Sequence, residues 1–127
     1  RHDFDVIGNS DLDKCIVTYG RETAPCCRAA EQSGDAFVIK LNKIKPISPD
    51  VINVLANVKS LYFFEEGIKS GGVGECFADL LLEHSVNVKY KHICINDEFV
   101  KQAGVTSQLK KYRLDEQSVL DIINEEM

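Results

Sequence analysis

The sequence lacks the features that mark fibrous, membrane-spanning or secreted proteins. With 3 prolines and 8 glycines in 127 residues, it is neither collagen-like nor of low complexity. No apolar run approaches the roughly 18 to 20 residues that cross a bilayer, and the opening residues, RHDFDVIG, do not form the apolar stretch of a signal peptide. We therefore expect a soluble, cytoplasmic protein that makes no membrane contact.

Basic residues are also in deficit, since 15 lysines and arginines stand against 20 acidic residues, for a net charge of −5. A protein that binds a phosphate backbone needs a basic face, so we expect no nucleic-acid partner. The 44% of hydrophobic residues can build a real core. The length fits a single domain over residues 1–127, in which residues 1–12 supply a linker and a short edge strand.

The five cysteines are odd in number and contain no C-x-x-C spacing; they are Cys15, Cys26, Cys27, Cys76 and Cys94. None of the three histidines is close to two cysteines in the sequence, so we predict no metal site. Buried, reduced thiols are the favoured interpretation. A thiol enzyme built on Cys26 or Cys27 is an alternative, and so is a Cys/His catalytic pair, because such pairs meet in space and not in sequence.

Short apolar runs alternate with amphipathic stretches along the chain. The runs predict strands, and the stretches predict helices. Strands are expected at residues 4–7, 15–19, 36–41, 61–64 and 88–92, and helices at 23–32, after Ser48, after the glycine-rich turn, at 107–112 and from Asp115. This βαβ order predicts an α/β protein, specifically a three-layer α/β/α sandwich with a mostly parallel sheet of four or five strands.

A glycine-rich turn and a pair of glutamates are the main candidate site features. The glycines open a helix, where backbone N–H groups can bind an anion. The turn lacks the Walker pattern, however, and Glu75 would repel a phosphate. Sharp turning and close packing of the helix are the favoured explanation. An independent small-ligand or anion-binding module that uses residues 71–75 is the alternative.

Glu65 and Glu66 end a strand at the edge of the sheet where α/β folds place ligands. Adjacent side chains on a strand face opposite ways, so we expect helix capping or an inter-domain hydrogen bond and not an acid/base pair. His92 is expected to be a half-exposed sheet residue. We predict no catalytic or cofactor-binding residue. The candidates for an interface or an anion site are Lys45, which ends a locally basic strand, and Glu65, Glu66, Gly71, Gly72 and Gly74.

The order of the motifs resembles that of a known family. The segments CIVTYG, NKIKPIS, FFEEGIKSGGVGE, DEFVKQAG and SQLKKYRLDEQSVLDII follow one another. Over residues 13–127 the chain resembles the C-terminal domain of the transketolase superfamily of thiamine-diphosphate enzymes, and is most similar to the 1-deoxy-D-xylulose-5-phosphate synthases. The matching positions are Lys45-Pro46, Glu65-Glu66, Gly71 to Gly74, and a tail of Phe99, Gly104, Leu109, Leu114 and Asp115. Glu75 and Gln102-Ala103 depart from the pattern.

The resemblance implies a supporting role for this domain. In the superfamily, an earlier domain holds thiamine diphosphate and magnesium through a Gly-Asp-Gly…Asn motif, which is not present in this sequence. This domain would hold no cofactor and be inactive alone. Its partners would be the remaining domains or a second subunit, in an enzyme that is a homodimer at full length. A 2-oxoacid dehydrogenase beta subunit and a split transketolase are alternatives. If its partner surface is uncovered, the isolated domain is expected to expose an apolar patch, bordered by residues near 62–66 and by the loop at 96–104.

Overall fold

The computed structural model describes residues 2–66, 72–95 and 116–125, and is built on a five-stranded sheet. The strands are β1 (Phe4–Ile7), β2 (Lys14–Thr18), β3 (Ala36–Leu41), β4 (Ser60–Glu66) and β5 (Lys89–Ile95). The helices are α1 (Thr23–Ser33), α2 (Val73–Glu83) and α3 (Glu116–Asn124), with 3₁₀ helices at Gly20–Glu22 and Pro49–Leu55. The helix predicted at 107–112 lies outside the described residues.

The strand order is β1-β3-β2-β4-β5. Strands β2 to β5 are parallel where they pair, and β1 lies antiparallel to β3 at one edge. The predicted mostly parallel sheet is therefore confirmed. Strand β3 lies on one side of β2, and β4 lies on its other side. The order of the strands therefore reverses direction at β2, and its carboxyl end is the topological switch point of the sheet. In α/β folds a crevice at this point commonly carries the functional site.

Helices cover both faces of the sheet, which confirms the three-layer sandwich. One face packs Val17, Ile39 and Phe63 against α2 and the second 3₁₀ helix. The other face packs Tyr62 and Phe64 against α1 and α3. Because both faces of the central strands are covered, successive residues are buried, as their uninterrupted apolar runs predicted.

The segment after Ser48 forms the expected helix, but with 3₁₀ geometry. The Ser48 side chain accepts a hydrogen bond from the Asp50 N–H at 3.2 Å, and Pro49 occupies the first helical position. Val51 and Leu55 are buried, as the spacing predicted. This seven-residue stretch is rich in β-branched residues and contains an asparagine, and both residue types have low α-helical propensity. A short 3₁₀ helix is the consequence.

Among the described residues, no large apolar side chain near 62–66 is exposed. Residues 62–65 are all buried, because α2 covers one side of β4 and α3 covers the other. The large apolar side chains exposed in the described part of the chain are Val6, Ile7 and Leu82. The other half of the prediction, at 96–104, lies outside the described residues. Within the described ranges, the helices are too short or too polar to cross a bilayer.

All five cysteines are reduced, and their surroundings differ. Cys15 and Cys26 are buried, as expected, whereas Cys76 is exposed on α2. Burial raises the pKa of Cys26 to about 12, and burial also raises the pKa of Cys27. An activated thiolate requires the opposite shift, so these directions favour the interpretation of both cysteines as unreactive thiols.

Gly34 follows the last residue of α1, and replacing it with alanine should cause a modest loss of stability. Gly34 has φ of +75°, and its N–H bonds to the Ala30 carbonyl at 3.0 Å. No atom lies within 4 Å of a Cβ added there, so only backbone strain opposes Gly34→Ala. We expect a loss of about 1 kcal/mol in the free energy of unfolding, measured by urea denaturation. Gly34→Asn should lose less, because asparagine tolerates this conformation; equal losses would contradict this explanation.

Candidate functional site

The candidate site lies where the carboxyl ends of β2, β4 and β5 meet the start of α2. Tyr19 follows β2, and Glu65 is the penultimate residue of β4. In the parallel register of β4 and β5, Phe63 pairs with His92 and Glu65 pairs with Cys94. Since side chains alternate along a strand, these residues share the face that α2 covers. The sheet register therefore brings together residues that are far apart in the sequence.

The Glu65 carboxylate is the centre of this arrangement. Its Oε1 accepts hydrogen bonds from the Tyr19 hydroxyl at 2.8 Å and from the Val73 N–H at 3.2 Å. Its Oε2 accepts one from the Gly74 N–H at 2.9 Å and contacts Nε2 of His92. We call these five residues the Glu65 network. Since Val73 and Gly74 begin α2, the predicted helix-capping role of Glu65 is confirmed.

Glu65 is charged even though its side chain is buried. Burial by itself raises its pKa, but the hydrogen bonds from Gly74, Tyr19 and His92 together outweigh burial and hold the pKa below its ordinary value. An ionised carboxylate only accepts hydrogen bonds, so His92 donates from Nε2. Burial and the hydrogen bond to Glu65 raise the pKa of Tyr19, which keeps its hydroxyl protonated as a donor.

His92 is more enclosed than the alternating pattern of its strand predicted. Strand β5 does lie at the edge of the sheet, but the side chain of His92 is only 16% exposed. Its ring meets Phe63 edge-on, with centroids 5.8 Å apart. A Cβ added at Gly74 would lie 2.2 Å from Nε2. The start of α2 therefore covers the ring, and the absence of a side chain at Gly74 makes this approach possible.

Tyr90 gives α2 a second attachment to β5. Its hydroxyl donates to the Gly74 carbonyl at 2.6 Å, and its ring stacks on Phe77 with centroids 6.4 Å apart. Both backbone groups of Gly74 are thus bonded to side chains of the sheet. This confirms the expectation that the glycine-rich segment allows close packing of the helix.

Glu66 faces away from Glu65, as its position predicted. It pairs with Arg21, whose Nε lies 2.8 Å from Oε1 of Glu66, near the protein surface. The two carboxylates therefore do not form an acid/base pair.

Lys45 lies elsewhere in the fold. It lines an open groove of about 370 Å³ together with Cys76, Asp79 and Glu83 of α2. Gly72 precedes α2, and Gly71 lies outside the described residues. The structure thus joins Glu65 with Gly74 and leaves Lys45 apart from them. A role for these candidates at a subunit interface stays a prediction.

The start of α2 does not fit a diphosphate. The N–H groups of Val73 and Gly74, which a phosphate would need, already bind the Glu65 carboxylate. The negative charge of Glu65 would also repel a second anion at the same place. The described residues at this helix start therefore hold an anion that the chain itself supplies.

Cys94 is a further member of the site that reasoning from the sequence missed. One ligand atom each from Glu65, His92 and Cys94 lies within 4.8 Å of the others. Burial and the nearby Glu65 charge raise the pKa of the Cys94 thiol. The spacing of His92 and Cys94 on one strand is a usable signal, but Glu65 joins them only through the register of β4 with β5.

Known proteins now place this architecture in a family. The family described as the C-terminal domain of transketolase matches residues 7–119. The chain belongs to this family. The resemblance inferred from the order of the motifs is therefore confirmed.

Curated relatives in this family include synthases and a transketolase section. A 1-deoxy-D-xylulose-5-phosphate synthase from Caldanaerobacter subterraneus is 33% identical over 113 residues, which cover 85% of this chain and 18% of the relative. A putative transketolase C-terminal section from Methanocaldococcus jannaschii is 32% identical over 122 residues, covering 91% of this chain and 37% of the relative. The chain thus spans about a fifth of the synthases it matches.

A solved structure supports the same assignment. A split gene transketolase, described as an inactive beta4 tetramer, has a TM-score of 0.73 and 27% sequence identity. The match covers 94% of this chain and 39% of that one. The α/β architecture described above is therefore that of a transketolase C-terminal domain.

Proposed function

We propose that this transketolase C-terminal domain is the supporting part of a 1-deoxy-D-xylulose-5-phosphate synthase. Its parent enzyme would condense pyruvate with glyceraldehyde 3-phosphate and release carbon dioxide. The observation that carries the proposal is the 33% identity to such a synthase over 85% of the chain. The short span of that match, 18% of the relative, agrees with one domain of a larger enzyme.

The cofactor belongs, in this proposal, to the other domains of the parent enzyme. Thiamine diphosphate supplies the carbanion chemistry when it is bound, and magnesium holds its diphosphate. The helix start at Val73 and Gly74 supports this division of labour, because Glu65 already uses its N–H groups. The parent enzyme would be a cytoplasmic homodimer, with the remaining domains or a second subunit as partners of this one.

The contribution of this chain would be rigid support. The Glu65 network ties α2 to three strands of the sheet at their carboxyl ends. A buried, fully hydrogen-bonded network holds its members in one arrangement. Surfaces carried by α2 and by the ends of β4 and β5 would therefore meet the catalytic domains as one preformed unit.

The isolated chain is expected not to bind thiamine diphosphate. Calorimetric titration of the 127-residue chain with the cofactor and Mg²⁺ should give only the heat of dilution. Circular dichroism provides the control that the chain is folded. Full-length protein that contains this domain should bind the cofactor and turn over pyruvate with glyceraldehyde 3-phosphate. Clear micromolar binding by the domain alone would end the proposal.

A split transketolase is the second candidate, favoured by the structural match that covers 94% of the chain. The two candidates differ in one product. The synthase reaction releases carbon dioxide from pyruvate, whereas a transketolase reaction between sugar phosphates releases none. Assaying the full-length or reconstituted enzyme with both substrate pairs, and measuring carbon dioxide, separates them.

A further inference from the structure

Three side chains of different chemistry converge at the ends of β4 and β5. They are the carboxylate of Glu65, the imidazole of His92 and the thiol of Cys94, whose ligand atoms lie within 4.8 Å of one another. The backbone fixes this meeting, since Glu65 and Cys94 are paired across the two strands and His92 is two residues before Cys94. The site is also enclosed, with Glu65 buried and the other two half-buried.

We propose that Glu65, His92 and Cys94 bind one divalent cation of the zinc class. Carboxylate oxygen, imidazole nitrogen and thiolate sulfur are the three donor types that Zn²⁺ takes in proteins. With zinc–ligand bonds of roughly 2.0 to 2.3 Å, ligand atoms in a tetrahedral site lie roughly 3.3 to 3.8 Å apart. The observed cluster thus needs side-chain adjustments of only about 1 Å to enclose an ion.

The ion would replace protons and would leave the rest of the network intact. It would sit between Oε2 of Glu65 and Nε2 of His92, taking the place of the imidazole proton. The imidazole proton would move to Nδ1, because a histidine ligand is neutral, and Cys94 would lose its thiol proton, so binding would release one proton for each ion. The bonds that Glu65 accepts from Tyr19, Val73 and Gly74 would then orient it as a ligand. A water molecule would complete the fourth position.

This site differs in kind from a magnesium site. Mg²⁺ prefers oxygen ligands in octahedral geometry, whereas a nitrogen and a sulfur ligand here favour a borderline-soft ion. The proposal does not depend on which reaction the parent enzyme performs. The ion would bond edge strand β5 directly to β4 and so strengthen the side of the sheet on which α2 begins.

Titration of the metal-free chain with Co²⁺ and then Zn²⁺ tests the proposal. We expect one equivalent of Co²⁺ to bind with a thiolate-to-cobalt charge-transfer absorption, which Zn²⁺ then removes. Cys94→Ser should abolish that absorption and weaken Zn²⁺ binding by more than about a hundredfold, since even partners outside the ligand set are worth 10 to 100-fold. Cys76→Ser is the matched control and should bind as the parent chain does.

The absence of the charge-transfer absorption at millimolar Co²⁺ would overturn the proposal. Its survival in Cys94→Ser, or its loss in Cys76→Ser, would do the same. If Cys94→Ser does not fold, the double variant Cys27→Ser/Cys76→Ser decides, because Cys15 and Cys26 are buried. One equivalent of thiolate-bound Co²⁺ in that variant supports the site at Cys94, and none refutes it.

Discussion

Replacing Glu65 with leucine should lower the free energy of unfolding by about 3–5 kcal/mol, the cost of breaking a buried charged network from one side. Leucine fills a similar volume but accepts no hydrogen bonds. The N–H groups of Val73 and Gly74 and the hydroxyl of Tyr19 would lose their acceptor in a buried or half-buried position. Urea denaturation at neutral pH in the presence of a chelator measures the loss without any contribution from bound metal.

Glu66→Leu is the matched control, since it removes the same functional group one residue further along the same strand. Glu66 faces the opposite side and pairs with the largely exposed Arg21, whose side chain is 72% accessible. Exposed ion pairs contribute about 1 kcal/mol or less, so the loss should be correspondingly small. Similar losses in the two variants would show that the Glu65 network is not a special source of stability.

Replacing Gly74 with alanine should destabilise the domain by about 2–3 kcal/mol, through overpacking and disturbed hydrogen bonds. The sign is unusual, because alanine within a helix is normally about 1 kcal/mol better than glycine. Here the added methyl group would lie 2.2 Å from Nε2 of His92. The ring cannot move away freely, because it packs on Phe63 and is bonded to Glu65. Thermal and urea unfolding of the variant measure the effect.

A double variant separates overpacking from other effects of the alanine. In Gly74→Ala/His92→Ala the ring is gone and the methyl group has room. The two single losses in the free energy of unfolding should therefore not add. The loss in the double variant should be smaller than their sum by about 1 to 2 kcal/mol. Strict additivity, or a Gly74→Ala chain more stable than the parent, would contradict the close approach of α2 to β5.

The sequence predicts the strands well, because the pattern of apolar residues that marks a strand is local and spans only a few residues. The uninterrupted apolar run at residues 36–41 is β3, buried on both faces. The alternation at 88–92 correctly places β5 at an edge of the sheet. The order of the motifs likewise identifies the family, whose match over residues 7–119 is independent of any single motif.

The site is harder to predict, because its members meet only through the strand register. Tyr19 and Glu65 are 46 residues apart, and Glu65 and His92 are 27 apart. The exposure of His92 depends on which helix covers its strand, and no local pattern contains that information. Cys76 shows the same limit, since its place on the outer side of α2 follows from how the helix is rotated against the sheet.

The capping of α2 by a carboxylate from β4 has a consequence for motion. The first turn of a helix usually frays, since its N–H groups have no partner within the helix. In this domain the first turn opens only when a buried side chain of the sheet gives up its hydrogen bonds, so both belong to one cooperative unit. A contact that displaces α2 would therefore also displace the carboxyl end of β4, which lies near the centre of the sheet.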